Sequence, residues 1–297
     1  MQTLSEFEML AHITLQKPFE AEIEGGAFVL KVEQYQPAIC TAVHAGHRLS
    51  ADLAAKCALT TGQRRYEEDP HTDEMISSFP ITLIGKDSRY EYDLNRPLAH
   101  CVYQRAWNKQ VWAKPLTKNQ INRSREKHMQ FYRVLDALLE QLECQFRCCI
   151  IFDFHSFNYQ RIKRATPVFN IGTEQIDMDR WRSTINSFQK ELAKTTAAGL
   201  PVSATQDDAF QGRGYLIGHV NSRHVNSVVI PTEVKKIFMD ETTGELFPLP
   251  LDELKNGIEH AITETKAHFM RKYSRKPRTC RFDWSSKEQL QETCREI

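Results

Sequence analysis

The 297-residue chain has no unbroken apolar run of the ~18 residues that a membrane-crossing helix needs. Charge of one sign is also missing. Lys plus Arg number 39 against 38 for Asp plus Glu, so nothing electrostatic points to nucleic acid or an anionic membrane as main partner. The cysteines (40, 57, 101, 144, 148, 149, 280 and 294) contain no C-x-x-C pair and no zinc-ribbon spacing. They read as the reduced thiols of a cytoplasmic protein, several of them within apolar runs. The stretch from Met1 to Leu15 lacks the charged-then-apolar layout of an export signal and carries Glu6 and Glu8 early. There is no internal repeat and no low-complexity linker. We expect one domain over 1–297, with its core at about 20–272 and a peripheral tail at 273–297.

The organising stretch is Cys149-Ile150-Ile151-Phe152-Asp153-Phe154-His155-Ser156. A short apolar run bounded by a helical pattern and a polar segment reads as a buried strand. Chemistry in open α/β sheets gathers past the carboxyl ends of the strands, and here the run closes on an aspartate, a histidine and a serine. Ahead of it, Thr117 to Gln145 repeats Phe131, Val134, Leu135, Leu138 and Leu142 on one helical face. Strand–helix–strand order of this kind predicts an α/β fold.

Other segments supply more polar strand ends. Ala21 to Gln34 alternates about Gly25-Gly26 as a hairpin would. Ala38 to Val43 is a strand that runs into His44-Ala45-Gly46-His47-Arg48, and Ser50 is placed to cap a helix reaching about Leu59. Arg64 to Asp73 (RRYEEDPHTD) reads first as a solvated surface loop, yet its carboxylates are also what a loop supplying a metal ligand contains. Ile81 to Ile84 and Tyr90 to Asp93 read as strands, the second ending in Leu94-Asn95-Arg96-Pro97. Asp179 to Ala198 and Leu251 to Phe269 read as amphipathic helices. Gln211 to Tyr215 is glycine-rich but lacks the Lys-Ser/Thr ending of a phosphate loop. In Val228 to Val234 a lone Glu233 interrupts an apolar run, which is costly unless the carboxylate is paired or used.

His44 and His47, Asn95 and Arg96, Asp153 and His155, and Glu233 together resemble the parts of a mononuclear zinc hydrolase. Two imidazoles and a carboxylate hold the ion and leave a position for water. A separate Glu moves the proton. An Arg takes a substrate carboxylate in its planar fork. Asp153, two residues before His155, is placed to orient a ligand imidazole.

VHAGHRL, EEDPHTD, SRYEYDLNRP, DFHS and PTEVKKIFMDE, in this order over about residues 38 to 245, resemble the N-formylglutamate amidohydrolase family. The chain is more distantly similar to zinc carboxypeptidases and to the succinylglutamate desuccinylase and aspartoacylase group. The resemblance implies a mixed central sheet flanked by helices in a carboxypeptidase-like (phosphorylase/hydrolase-like) fold. It also implies one Zn²⁺ or other divalent metal per chain and a small N-acyl amino acid as substrate. His44 matches the first metal histidine, His155 the later one, Asn95-Arg96 the carboxylate-binding pair and Glu233 the general base. Arg89 matches the arginine ahead of DLNR, which contacts substrate or braces the loop. The third ligand departs from the H-x-x-E pattern, because position +3 is His47. It is either His47 or a carboxylate of the acidic loop, Asp69 ahead of Glu68. Ala45-Gly46 stands where Ser-Gly is commoner, which touches substrate preference. The competing expectations are a carboxypeptidase-like enzyme acting on a peptide C-terminus and a catalytically decayed binding protein on the same scaffold.

Overall fold

A computed structural model describes residues 1–273; the expected tail beyond 273 lies outside the described residues. The main sheet has nine strands: β1 Gln2–Leu4, β2 Phe19–Ile23, β3 Phe28–Val32, β4 Ala38–Ala42, β5 Ile81–Gly85, β6 Ile150–Phe157, β7 Phe169–Ile171, β8 Ala204–Gln206 and β9 Val228–Lys235. Their order is β1-β2-β3-β5-β4-β6-β9-β7-β8. The central run β5-β4-β6-β9 is parallel, and antiparallel pairs flank it. The helices are α1 Glu6–Thr14, α2 Ala51–Ala54, α3 Thr61–Glu67, α4 Thr72–Met75, α5 Lys118–Phe146, α6 Met178–Leu192, α7 Tyr215–Arg223 and α8 Pro248–Tyr273. This is the mixed, helix-flanked α/β sheet expected from the sequence.

All eight residues of β6 are buried, which is why it reads as continuous rather than alternating. Ile150, Phe152 and Phe154 face one core with Phe188 of α6 and Ile258 of α8. Ile151 faces the other, with Phe131, Leu135 and Leu138 of α5 and Val220 of α7. The α5 stripe is buried as its periodicity requires, and Thr117 closes a capping box with Gln120, a device that stabilises a helix start by about 1 kcal/mol.

The register across the three central strands positions the site. Ile39, Ile151 and Val229 lie side by side on the α5 face of β4, β6 and β9. Two residues further on, Thr41, Asp153 and Pro231 are abreast, and then His155 is paired with Glu233. Because side chains alternate with period two, one face of the sheet changes from apolar to ionisable at a single level.

Three local expectations differ from the structure. The helix after Ser50 ends at Ala54 and has no side-chain cap bond. Ala58 N–H donates to the Val111 carbonyl and Ala113 N–H to that of Lys56, so tertiary pairing takes the backbone groups a longer helix would use. Tyr90 to Asp93 is a turn: Glu91 N–H donates to Ser88 O and Asp93 N–H to Cys101 O. The helix from Met178 stops at Leu192, and Thr196–Ala197 pairs with Leu200–Pro201 about Gly199, whose φ is +73°. Among the described residues Cys40, Cys57, Cys101, Cys148 and Cys149 are free thiols, and Cys144 does not belong to that set. No described helix is long and apolar enough to cross a membrane.

An ionic knot ties α7 to α5. Asp136 Oδ1 lies 2.7 Å from His219 Nε2 and 3.0 Å from His224 Nε2, and Glu143 lies 3.6 Å from His224 Nδ1. Burial opposes charge on His224, but hydrogen bonds to Asp136 and Glu143 outweigh it and push the imidazole up to about 9. The stabilisation is therefore complete below the unfolded value of about 6.5 and is lost as pH rises through about 9. In denaturant titrations, wild type should exceed His224→Gln by about 1–3 kcal/mol at pH 6, and the gap should shrink steadily to pH 10.

Candidate metal centre and cleft

His44 follows β4, carried two residues past the end of the strand, and His155 projects from β6 beside it; their ring centroids are 5.0 Å apart. Asp69 comes from the turn between α3 and α4. The Asp69 N–H donates to the His44 carbonyl at 3.0 Å, which ties the acidic turn to the end of β4. Its Oδ2 lies 3.1 Å from His155 Nδ1 and 3.4 Å from His44 Nδ1. One nitrogen of each imidazole and one carboxylate oxygen fall within 4.8 Å of one another, so the buried trio forms a group able to hold a metal ion.

The outer nitrogens decide the orientation. His44 Nε2 meets Asp93 Oδ1 at 2.7 Å, and His155 Nε2 meets Asp153 Oδ2 at 2.9 Å. With each Nε2–H donated to a carboxylate, both Nδ1 atoms face inward toward Asp69 and would present lone pairs there once deprotonated, the orientation that metal-ligating histidines adopt. Thr41 donates to Asp153 Oδ1 at 2.6 Å. Asp93 accepts from Arg89 Nη2 at 2.8 Å, from the Asn95 N–H at 2.8 Å and from the Tyr103 hydroxyl. His44 Nδ1 is buried without a hydrogen-bond partner, an orphaned acceptor of the kind a cation satisfies. The N, O, N donor set and its carboxylate backing fit a divalent metal such as zinc.

Burial alone would raise the carboxylates, yet all three ionise more readily than usual. The hydrogen bond with His155 and the His44 imidazole beside it hold Asp69 far below the ordinary range, Arg89 and His44 do so for Asp93, and His155 lowers Asp153. Burial likewise disfavours charge on His155, but Asp153 and Asp69 carry it well above the usual histidine value.

Glu233 stands across the strand pair from His155. Its carboxyl is pushed up to about 7, chiefly by burial and then by Asp69, against the opposing pull of His155 and Arg89. It lines a cleft of ≈ 280 Å³ with Arg89, Asn95, Arg96, His155, Phe210 and Arg213. A second lobe of ≈ 220 Å³ reaches His44, Asp69, Arg161 and Lys236 and shares Glu233, Arg96 and Phe210 with the first. The far wall is the glycine-rich segment. Asn170, buried in β7 and paired with Glu233, accepts from the N–H groups of Asp208 (2.9 Å), Ala209 (2.8 Å) and Phe210 (3.4 Å). It also donates to the Phe210 carbonyl at 2.7 Å. Gly212, at φ +82°, passes so close to Gly172 that a Cβ on the latter would sit 2.3 Å from the Gly212 Cα.

Of the third-ligand alternatives, the fold brings Asp69 to the two histidines. His47 is exposed, and its carbonyl accepts from Arg64, so it stays outside the group. Glu68 is buried but turned to the Ser88 hydroxyl. The acidic stretch is no open surface loop: α3 covers Arg64 to Glu67, and Glu67, Glu68 and Asp69 are buried. Arg89 is committed to Asp93 and to the Glu67 carbonyl (3.1 Å), the bracing alternative. Arg96 is exposed to the cleft and forms no ion pair among the described residues. Sequence reasoning passed over Asp93. Its signal was the Arg89-to-Asp93 spacing of four, masked by reading 90–93 as a strand.

The sequence model of the family described as N-formylglutamate amidohydrolase matches residues 36–236. The N-formylglutamate amidohydrolase crystal structure from Ralstonia eutropha JMP134 aligns at a TM-score of 0.64 and 18 % identity, over 81 % of this chain and 99 % of that one. The Agrobacterium tumefaciens gene product Atu2144 aligns at 0.55 and 12 % identity, over 82 % and 96 %. At these identities the two structures establish the fold. A search of curated proteins found no match.

Metal analysis after dialysis against Zn²⁺ should find the ion lost in His44→Ala, Asp69→Ala and His155→Ala and kept in His47→Ala. Asp93→Asn and Asp153→Asn should bind about 10–100-fold more weakly.

Proposed function

The chain belongs to the N-formylglutamate amidohydrolase family, and on that premise we propose that it is a metal-dependent hydrolase cleaving the amide bond of an N-acyl acidic amino acid, N-formylglutamate being the family's named substrate. The observation that carries this reading is the pairing of Glu233 with His155 across β9 and β6, which sets a carboxyl that burial raises above its ordinary value beside the trio able to hold a metal. His44, Asp69 and His155 would hold the ion, Zn²⁺ in the first instance and one per chain. When bound, it supplies Lewis-acid polarisation of the scissile carbonyl and lowers the pKa of water.

The chain's own residues do the rest. Glu233 would accept a proton from the attacking water and release it to the leaving nitrogen. Arg96, free of other carboxylates, grips a substrate carboxylate with its fork, and Asn95 lines the cleft beside it. Arg89 lines the cleft but is held by Asp93 and the Glu67 carbonyl, so it braces the site. The wall at Phe210 to Gly214 bounds the cleft on the side of Glu233 and Arg96, and the space of ≈ 280 Å³ accommodates an acylated amino acid.

Glu233→Gln should lose about 10²–10⁴-fold in turnover while retaining its metal; activity near wild type would remove Glu233 as the base. Arg96→Ala should raise KM about 10–100-fold for an acyl amino acid and leave the corresponding carboxamide unaffected. Steady-state kinetics on matched substrate pairs separate that outcome from a general loss of activity.

A further inference from the structure

Lys236 is 1 % exposed, and among the described residues no carboxylate is in ion-pair contact with it, although Asp69, Glu67 and Glu241 attract it from further off. An ammonium withdrawn from water without a carboxylate costs several kcal/mol unless its donors are fully used. Here they go to main-chain oxygens: Lys236 Nζ donates to the carbonyls of Glu68 at 2.8 Å and Tyr66 at 3.0 Å. Between them, the Glu67 carbonyl accepts from Arg89. Asn158 Nδ2 gives Tyr66 O a second donor. These carbonyls end α3, where a helix has no intrahelical partners left to offer.

The next residue is Asp69. Its N–H is fixed on the His44 carbonyl, so the residue is held between that bond and the capped end of α3. Lys236 itself is anchored where β6 and β9 finish: its N–H donates to Phe157 O at 3.1 Å, three residues after Glu233. It also lines the cleft lobe that contains His44, Asp69 and His155.

We propose that Lys236 is a positioning residue of the metal centre, fixing the Tyr66 and Glu68 carbonyls from the end of β9 and thereby aiming the Asp69 carboxylate at His44 and His155. The inference rests on the metal reading of the trio. Two simpler roles make different predictions. If Lys236 acted only through its charge, deleting it would remove a cation beside a cation site and tighten metal binding. If it only capped α3, deleting it would lower stability and leave affinity unchanged. Loss of aim weakens binding, so the sign of the change identifies the role.

The test is Zn²⁺ affinity of the full chain, measured by competition with a chromophoric chelator, together with unfolding of the metal-free protein. Lys236→Met is expected to fold and to bind Zn²⁺ about 10–100-fold more weakly than wild type. Equal or tighter binding overturns the proposal. Should Lys236→Met fail to fold, Lys236→Arg keeps the charge but moves the donors off the Tyr66 and Glu68 carbonyls. Weaker binding in that variant supports the proposal, and unchanged binding overturns it. A wild-type chain that binds no divalent cation overturns the metal reading and this inference together, whereas failure of the inference alone leaves wild-type binding intact.

Discussion

The site depends on one buried carboxylate standing between two imidazoles. Asp69 is 3 % exposed, and a lone carboxylate at that depth would be protonated or would pull the turn open. His44 and His155 prevent this because each imidazole is itself backed by a carboxylate, Asp93 or Asp153. The result is a chain of alternating acids and bases, every link of which requires its neighbours. Arg89 terminates it at one end and Thr41 at the other. A metal entering this chain would displace protons between Asp69 and the Nδ1 atoms while the outer pairs stay as they are, so much of the cost of organising the ligands is already met by the fold.

The sheet delivers these groups because its side-chain period is two. On one face of β4, β6 and β9, apolar residues meet α5 up to a given level, and beyond it Thr41, Asp153, His155 and Glu233 take over. Moving β9 by one residue against β6 would turn Glu233 to the opposite face. The two large cores thus fix the register on which the polar end depends, and the geometry of the site follows from how the hydrophobic helices pack.

What was legible in the sequence follows the same division. β6, β9 and α5 show long patterns of a definite period, and His155 and Glu233 could be placed because they interrupt such patterns. Asp69 stands in the sequence as one of three candidates with His47 and Glu68, since the turn that buries it is made by long-range partners: the His44 carbonyl, Lys236 and Arg89. Asp93 was misread for a related reason, as Tyr90 to Asp93 alternates like a strand while Ser88 and Cys101 draw its backbone into a turn. Local periodicity carries no information about such distant bonds, so the loops that complete a site are its least readable part.

The metal group and the far wall of the cleft have separate foundations. His44, Asp69 and His155 are set by β4, β6 and the α3 turn, whereas Phe210 to Gly214 hang from the Asn170 amide and the Gly172–Gly212 crossing. A change of residue along 208–213 therefore reshapes what the cleft admits without passing through any group that grips the ion. Such modularity separates the shape of the space offered to a substrate from the three side chains that could hold an ion.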